Sequence, residues 1–384
     1  MQNHSTLSDN ELRNLIRRVF RPTPSDTRIA VLTDLPEMPT DDLPDWRQRR
    51  ELALDWTLRL RRATADLGLG GADLYLYPNV GSNNADLPPS AWPHLEGSLP
   101  AGSNDLARAT AQPFEQIFTD HSILLAPTRY STTAPLKLAA ARHGFRAATM
   151  PGFSPAMIPA LRLDYTEVDR RVQRLKSLLD RAVSAYFRFE TDSGTAMLEL
   201  DLRHRKAHAS SGLVTRPGTA GNLPSGEAYI VPYEGEQPGD ASRSAGILPV
   251  QMGNEVVLFR IAANRAIGVD SDGPKSREQA RYLAREPAYG NLAELGLGVL
   301  DDFGIQPIGT ILLDEKLGLH IAFGRSDHFG GQVGVAQFSS PAAAIHHDWV
   351  YLHQTQPLVQ VRSLVLEMAD GDSIPLMRDQ AYAL

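Results

Sequence analysis

The chain has 384 residues, 42% hydrophobic and 22% charged, with a formal net charge of −7 and no cysteine. This suits a soluble globular protein with material for two domains, and no apolar run approaches the roughly 18 residues a membrane span needs. The acidic balance gives no cationic field for nucleic acid, and without cysteine there are no disulfides or thiolates, so any metal must be held by His, Asp and Glu.

In chain order, MQNHSTLSDNELRNLIRRVF lacks the charged-then-apolar layout of a signal peptide. It reads as an amphipathic helix capped near Ser8 or Asp9, which places the protein in the cytoplasm. The Pro-rich, acidic stretch Thr33 to Pro44 reads as a surface loop. DWRQRRELALDWTLRLRRATADLG follows as a helix, ADLYLYP and HSILLAP as strands, APLKLAAARHG as a helix and RAATM as a further strand. Strand, turn, helix, strand is the pattern of a parallel βαβ unit, so an α/β domain with a small, mostly parallel sheet is predicted for residues 1–165. The TRYSTTAP turn, Thr128 to Pro135, reads as a helix cap, although free N–H groups at such a turn also attract anions.

A helix is predicted where Val168, Val172, Leu175, Leu179, Ala182 and Tyr186 recur at three- and four-residue intervals. Beyond it the texture changes. AMLELDL, AYIVP, EVVLFRI, GTILLD, LGLHIAFG and VQVRSLVLEM are β-like pieces between Gly, Pro, Asn and Asp clusters, with one helix near SREQARYLARE. Residues 166–384 are therefore predicted to form a C-terminal, mainly β (α+β) domain.

Ionisable residues in that half sit inside apolar, Gly-rich text: Glu227 in GNLPSGEAYIVP, Glu294 in LAELGLG, Glu315 and His320 in LLDEKLGLHIAFG, and His346 and Asp348 in IHHDW. Residues two apart on a strand share a face, so His346 and Asp348 can meet one ion while His347 points away. Taken singly, each residue has an ordinary reading. Glu227 fits a solvated turn, His320 a hydrogen-bonded strand histidine, HHD a polar strand end, and Glu315 one half of an exposed ion pair with Lys316. Glu294 fits least well, because a carboxylate among apolar residues is costly to bury unless something positive pairs with it.

Together, GNLPSGEAYIVP, LAELGLG, ILLDEKLGLHIAFG, FGG and IHHDWVY, in that order, resemble the metal-site motifs of the thermophilic metallo-aminopeptidases, aminopeptidase T and aminopeptidase S. The resemblance runs from about HSILLAP to IHHDW. It implies two divalent cations (Zn, Co or Mn) held by Glu227, Glu294, Glu315, His320, His346 and Asp348, with a peptide or amide as substrate and a homodimer as the assembly. Charge agrees with two ions, since four carboxylates match two divalent cations and one ion would leave the site with excess negative charge. Glu315 stays open between ligand and proton carrier to the leaving amine.

One departure stands out. The tyrosine that supports the tetrahedral intermediate in those enzymes lies seven positions after the strand histidine, where this chain has Asp327. Losing one such donor costs on the order of 2.7–4 kcal/mol of transition-state stabilisation, which leaves His328 or Tyr351 as substitutes and a solvated turn as the plain reading of Asp327 and His328. The same family includes members resembling 2,5-dihydroxypyridine dioxygenase, a ring-cleaving enzyme with one Fe(II) held by two histidines and a carboxylate. His346 and Asp348 fit two of those ligands, with the third from His320 or the position of Glu294. A non-catalytic, peptide-binding relative is a third reading. No GxGxxG, GxxxxGK or GxSxG is present. His204 and His208 read as surface residues, and Trp349 and Tyr351 as core packing with a pocket wall as the secondary role.

Overall fold

The computed structural model describes residues 6–383 apart from 96 and 109, so the first residues of the MQNHS start lie outside it. The chain divides into two compact units, Met1–Asp169 with Ser210–Ser225, and Arg170–Ala209 with Gly226–Leu384. The excursion of 210–225 into the first unit has no counterpart in the sequence reading, which kept residues 166–384 together.

The first unit opens with the helix Asp9–Val19. Ser8 caps it reciprocally: Glu11 N donates to Ser8 Oγ at 3.2 Å, and Ser8 N donates to Glu11 Oε2 at 2.7 Å. Leu12, Leu15, Ile16 and Val19 form its buried face. The long helix Pro44–Leu67 starts on a proline, whose missing N–H costs nothing in a first turn, and stops at Gly68 with φ +68°.

The sheet of this unit has seven strands, more than the small sheet predicted. Ile29–Leu35 lies between Ala72–Pro78 and Ile123–Thr128, parallel to both. Arg146–Pro151 and Thr219–Asn222 extend the parallel part, and Ser90–His94 joins the far side antiparallel. Continuous burial along IAVLTDL and ILLAPT is what parallel strands covered on both faces require.

Two expectations change here. Thr33 and Asp34 belong to the buried strand Ile29–Leu35 and not to a surface loop. The Asp34 carboxylate accepts from Arg129 N at 2.6 Å and Tyr130 N at 3.2 Å. The N–H groups that open the TRYSTTAP turn are therefore satisfied within the protein, which removes their use as an anion site.

The helix Tyr165–Arg181 starts in the first unit and ends in the second, before Ala182, where the strand Ala182–Thr191 begins. Val168, Val172, Leu175 and Leu179 are buried as their spacing predicts, but Tyr186 is on the strand and 38% exposed. That strand lies inside an eight-stranded antiparallel sheet. GTILLD, predicted as a strand, folds as the one-turn helix Ile311–Asp314, whose buried Asp314 accepts from Ile308 N and Gly309 N, both at 2.9 Å. Local bonding by a short acidic side chain outweighs strand propensity there. No helix of the described residues is long and apolar enough to cross a membrane.

Candidate metal centre

Four neighbouring strands of another sheet, Glu227–Ile230, Leu292–Gly298, Leu319–Gly324 and His346–Val350, run antiparallel side by side in that order. They carry five of the six sequence candidates. The sixth, Glu315, ends the Ile311–Asp314 helix just before the third strand.

The glycines of ELGLG explain how the strands come together. Glu294, Gly296 and Gly298 alternate onto one face. Gly296 pairs with His320, and a Cβ there would lie 1.9 Å from His320 Nε2. At Gly298 a Cβ would lie 2.2 Å from the Lys316 carbonyl carbon. Both positions need glycine because a side chain and a backbone segment occupy the space over the strand.

Glu294 is central. Its Oε1 lies 3.4 Å from His320 Nε2, and its Oε2 lies 3.2 Å from His346 Nε2. On the first side Glu227 Oε2 is 3.5 Å from His320 Nε2; on the second, Asp348 Oδ1 is 3.3 Å from His346 Nε2. Two groups of ligand atoms result, Glu227–Glu294–His320 and Glu294–His346–Asp348, each with its atoms within 4.8 Å of one another. His346 and Asp348 share a face, while His347 stacks on Trp349 with ring centroids 4.1 Å apart, as strand alternation predicts.

Two observations fit these groups to cations. Glu227 Oε2 and Asp348 Oδ1 are buried and have no hydrogen-bond partner, a costly state for carboxylate oxygens. His346 Nδ1 lies 2.8 Å from Arg325 O and His320 Nδ1 lies 3.3 Å from Gly318 O. With Nδ1 donating to a carbonyl, Nε2 of each ring faces the carboxylates and becomes the ligating nitrogen once an ion displaces its proton, the orientation of a metal-ligating histidine.

Electrostatics carry the same signature. Burial alone would depress the His320 imidazolium, yet Glu294, Glu227 and Asp348 bring it up to about 9. His346 is likewise raised well above its ordinary value, against burial, by Asp348 and Glu294. Burial would raise Glu294, but bonds from His320 and His346 hold it well below the usual carboxylate range. Glu227 is pushed up by burial in spite of Lys316. In the ion-free protein, protons on the imidazoles do part of what cations would do.

Glu315 stands apart from both groups. Its carboxylate accepts from Lys316 Nζ, which also donates to Glu227 Oε1 at 2.5 Å. Burial and the Glu227 and Asp348 charges push Glu315 up to about 8 against the pull of Lys316. The ion pair with Lys316 exists but is not the exposed one the sequence suggested, since the Lys316 side chain is 3% accessible. Sequence reading also missed Tyr229. It lies two residues after Glu227 on the same strand, so period two places both on one face. Burial and the Glu294 and Glu227 charges raise its phenol well above 10.0. Its ring stacks on His208 at 5.2 Å and meets Phe329 edge-on at 4.9 Å, and Phe329 meets His346 at 5.3 Å. His208 thus belongs to an aromatic border of the centre, whereas His204 pairs with Asp240 at 3.0 Å.

Of the substitutes for the missing tyrosine, Tyr351 is unavailable. It is 2% exposed and its hydroxyl donates to Pro249 O at 2.9 Å. His328 lies beside His346, ring centroids 5.4 Å apart, is exposed, and is depressed below its ordinary value by desolvation and by the His346 and Arg325 charges. Asp327 binds Arg325 Nε at 2.6 Å.

No family model and no curated relative matches the chain. Among solved structures, 2,5-dihydroxypyridine dioxygenase from Pseudomonas putida aligns with a TM-score of 0.61 at 14% identity, covering 98% of each chain. Wild-type AmpT from Thermus thermophilus aligns with a TM-score of 0.55, also at 14% identity and 98% of each chain. The chain has the α/β fold these two proteins share, over its whole length.

Proposed function

We propose that this protein is a metal-dependent hydrolase of the aminopeptidase type, which cleaves a peptide or amide bond with water. The observation that carries this reading is Glu294, which turns one carboxylate oxygen to each of two adjacent ligand groups, the arrangement of a carboxylate shared by two ions. Glu227, Glu294 and His320 would hold one divalent cation, and Glu294, His346 and Asp348 the other. A pair of such ions, when bound, supplies a Lewis acid for a carbonyl and lowers the pKa of a water towards roughly 7.

The chain's own groups supply the rest. His346 and His320 are oriented by backbone carbonyls, so their Nε2 atoms need not reorganise. Glu315, half-buried beside the centre and raised to about 8 while no ion is bound, is suited to pass a proton to a leaving amine. The Tyr229 phenol stays protonated and is the hydroxyl donor nearest in role to the tyrosine that Asp327 replaces. The rings of Tyr229, Phe329 and His346 pack against one another on that side.

A second reading is a non-haem Fe(II) ring-cleaving dioxygenase. It is favoured by the Glu294–His346–Asp348 group, which can hold one ion without the other group, and by the rings of Phe329 and His328 against His346. The test is turnover by protein reloaded with Zn²⁺, Mn²⁺, Co²⁺ or, anaerobically, Fe²⁺. Release of amine from amino-acid amides or dipeptides supports the hydrolase. Oxygen uptake with 2,5-dihydroxypyridine by the Fe²⁺ form alone, with no amide cleaved by any form, replaces it with the dioxygenase.

A further inference from the structure

Lys316 places an ammonium against Glu227 and Glu315 and is not one of the six candidate ligands. Its side chain is 3% accessible, and its backbone is fixed by Leu300 N donating to Lys316 O and Lys316 N donating to Leu313 O, both at 2.9 Å. Gly298 leaves the space its carbonyl occupies. The ammonium sits between Glu227 Oε1 and Glu315 Oε1 and bonds to both. Glu227 is thereby divided: Oε1 is taken by lysine, and the unpartnered Oε2 is the oxygen turned towards His320. Glu315 is in neither ligand group.

Building on the reading that the cluster holds divalent ions, we infer that Lys316 is a built-in cation of the centre: a positioning residue that keeps Glu315 out of metal coordination. The ligand set is then five residues, and Glu315 remains available for proton transfer. Charge is consistent with this assignment. Four carboxylates, one ammonium and two divalent ions leave one net positive charge, so the loaded centre retains an attraction for one anionic group, where four carboxylates and two ions alone would be neutral. Lysine is suited to the place because an ammonium on a long stem bonds two carboxylates without holding a coordination geometry of its own.

Removing the ammonium takes a positive charge from beside Glu227, a ligand of one ion position, and frees the half-buried Glu315 carboxylate from its partner. Both effects strengthen cation binding, and the second makes it depend on Glu315. The experiment titrates Mn²⁺ into chelator-stripped protein by calorimetry for the wild type, Glu315→Gln, Lys316→Met and the double variant, with thermal melts as the check on folding. Glu315→Gln is expected to keep the wild-type stoichiometry with affinity within about threefold, and Lys316→Met to bind at least roughly tenfold more tightly, a gain reduced in the double variant by the part that depends on Glu315. A Glu315→Gln protein that binds fewer ions overturns the inference, because Glu315 is then a ligand, and so does one that binds the same number more than about threefold more weakly, because Glu315 then contributes to holding the ions. So does a folded Lys316→Met protein with unchanged or weaker binding. If Lys316→Met does not fold, the Glu315→Gln result decides alone. A wild type that binds no Mn²⁺, Zn²⁺ or Fe²⁺ removes the metal reading and this inference together, whereas ion binding with the wrong variant response removes only the inference.

Discussion

At the scale of single residues, the centre depends on what two glycines leave out and what two histidines give up. Gly296→Ala places a methyl group inside the His320 ring position, and strand backbone on either side gives the imidazole nowhere equivalent to go. The expected result is protein that folds but retains well under half of its bound ion after dialysis, by elemental analysis; full retention would show that His320 is not needed. His320 also fixes a pH dependence. Its ion-free pKa, about 9 against 6.5 unfolded, means that a proton is bound in the folded state over that window. The associated stability is present below pH 6.5 and lost as pH rises through about 9. A cation must displace that proton, so ion affinity should rise from pH 6.5 to 9, and calorimetry in two buffers of different ionisation enthalpy should detect proton release on binding. Affinity independent of pH across this window would mean that the ring stays protonated and does not ligate.

At the scale of elements, much of the architecture was legible because it rests on periodicity. Period two located His346 and Asp348 on one strand face and His347 on the other, and apolar runs bounded by turn residues located most strands. What periodicity does not contain is which neighbour covers a side chain. The Glu315–Lys316 dipeptide is ordinary text for an exposed pair, and only the juxtaposition of the Glu227 strand, Gly298 and the Ile311–Asp314 helix buries Lys316 and half-buries Glu315. Tyr229 was legible by the same alternation that placed Asp348, but a phenol in an apolar strand carries no metal-ligand signal. Thr33 and Asp34 were misread because acid and proline after them suggested a loop, while the carboxylate is consumed tying the Ile29–Leu35 strand to the 128–130 turn. Asp34→Ala leaves two N–H groups without their acceptor and should destabilise the protein by about 2–4 kcal/mol in urea denaturation, with Asp34→Asn milder because one acceptor oxygen remains. An unchanged Asp34→Ala midpoint would mean that water replaces the carboxylate at that turn.

At the scale of the molecule, two solved structures at the same 14% identity share this fold from end to end, and their names alone describe different proteins. The fold therefore selects no chemistry, and the side chains at the centre must. Their bias is towards two cations: two ligand groups, one shared carboxylate, and two unpartnered oxygens, one in each group. The direct test is elemental analysis of protein dialysed against Zn²⁺ or Mn²⁺ and then against ion-free buffer, for the wild type and Glu294→Ala. The expected result is about two ions per chain in the wild type and fewer than one in Glu294→Ala, because the shared carboxylate serves both positions. Wild-type protein that retains no ion, or a Glu294→Ala protein that retains both, would contradict the two-cation centre.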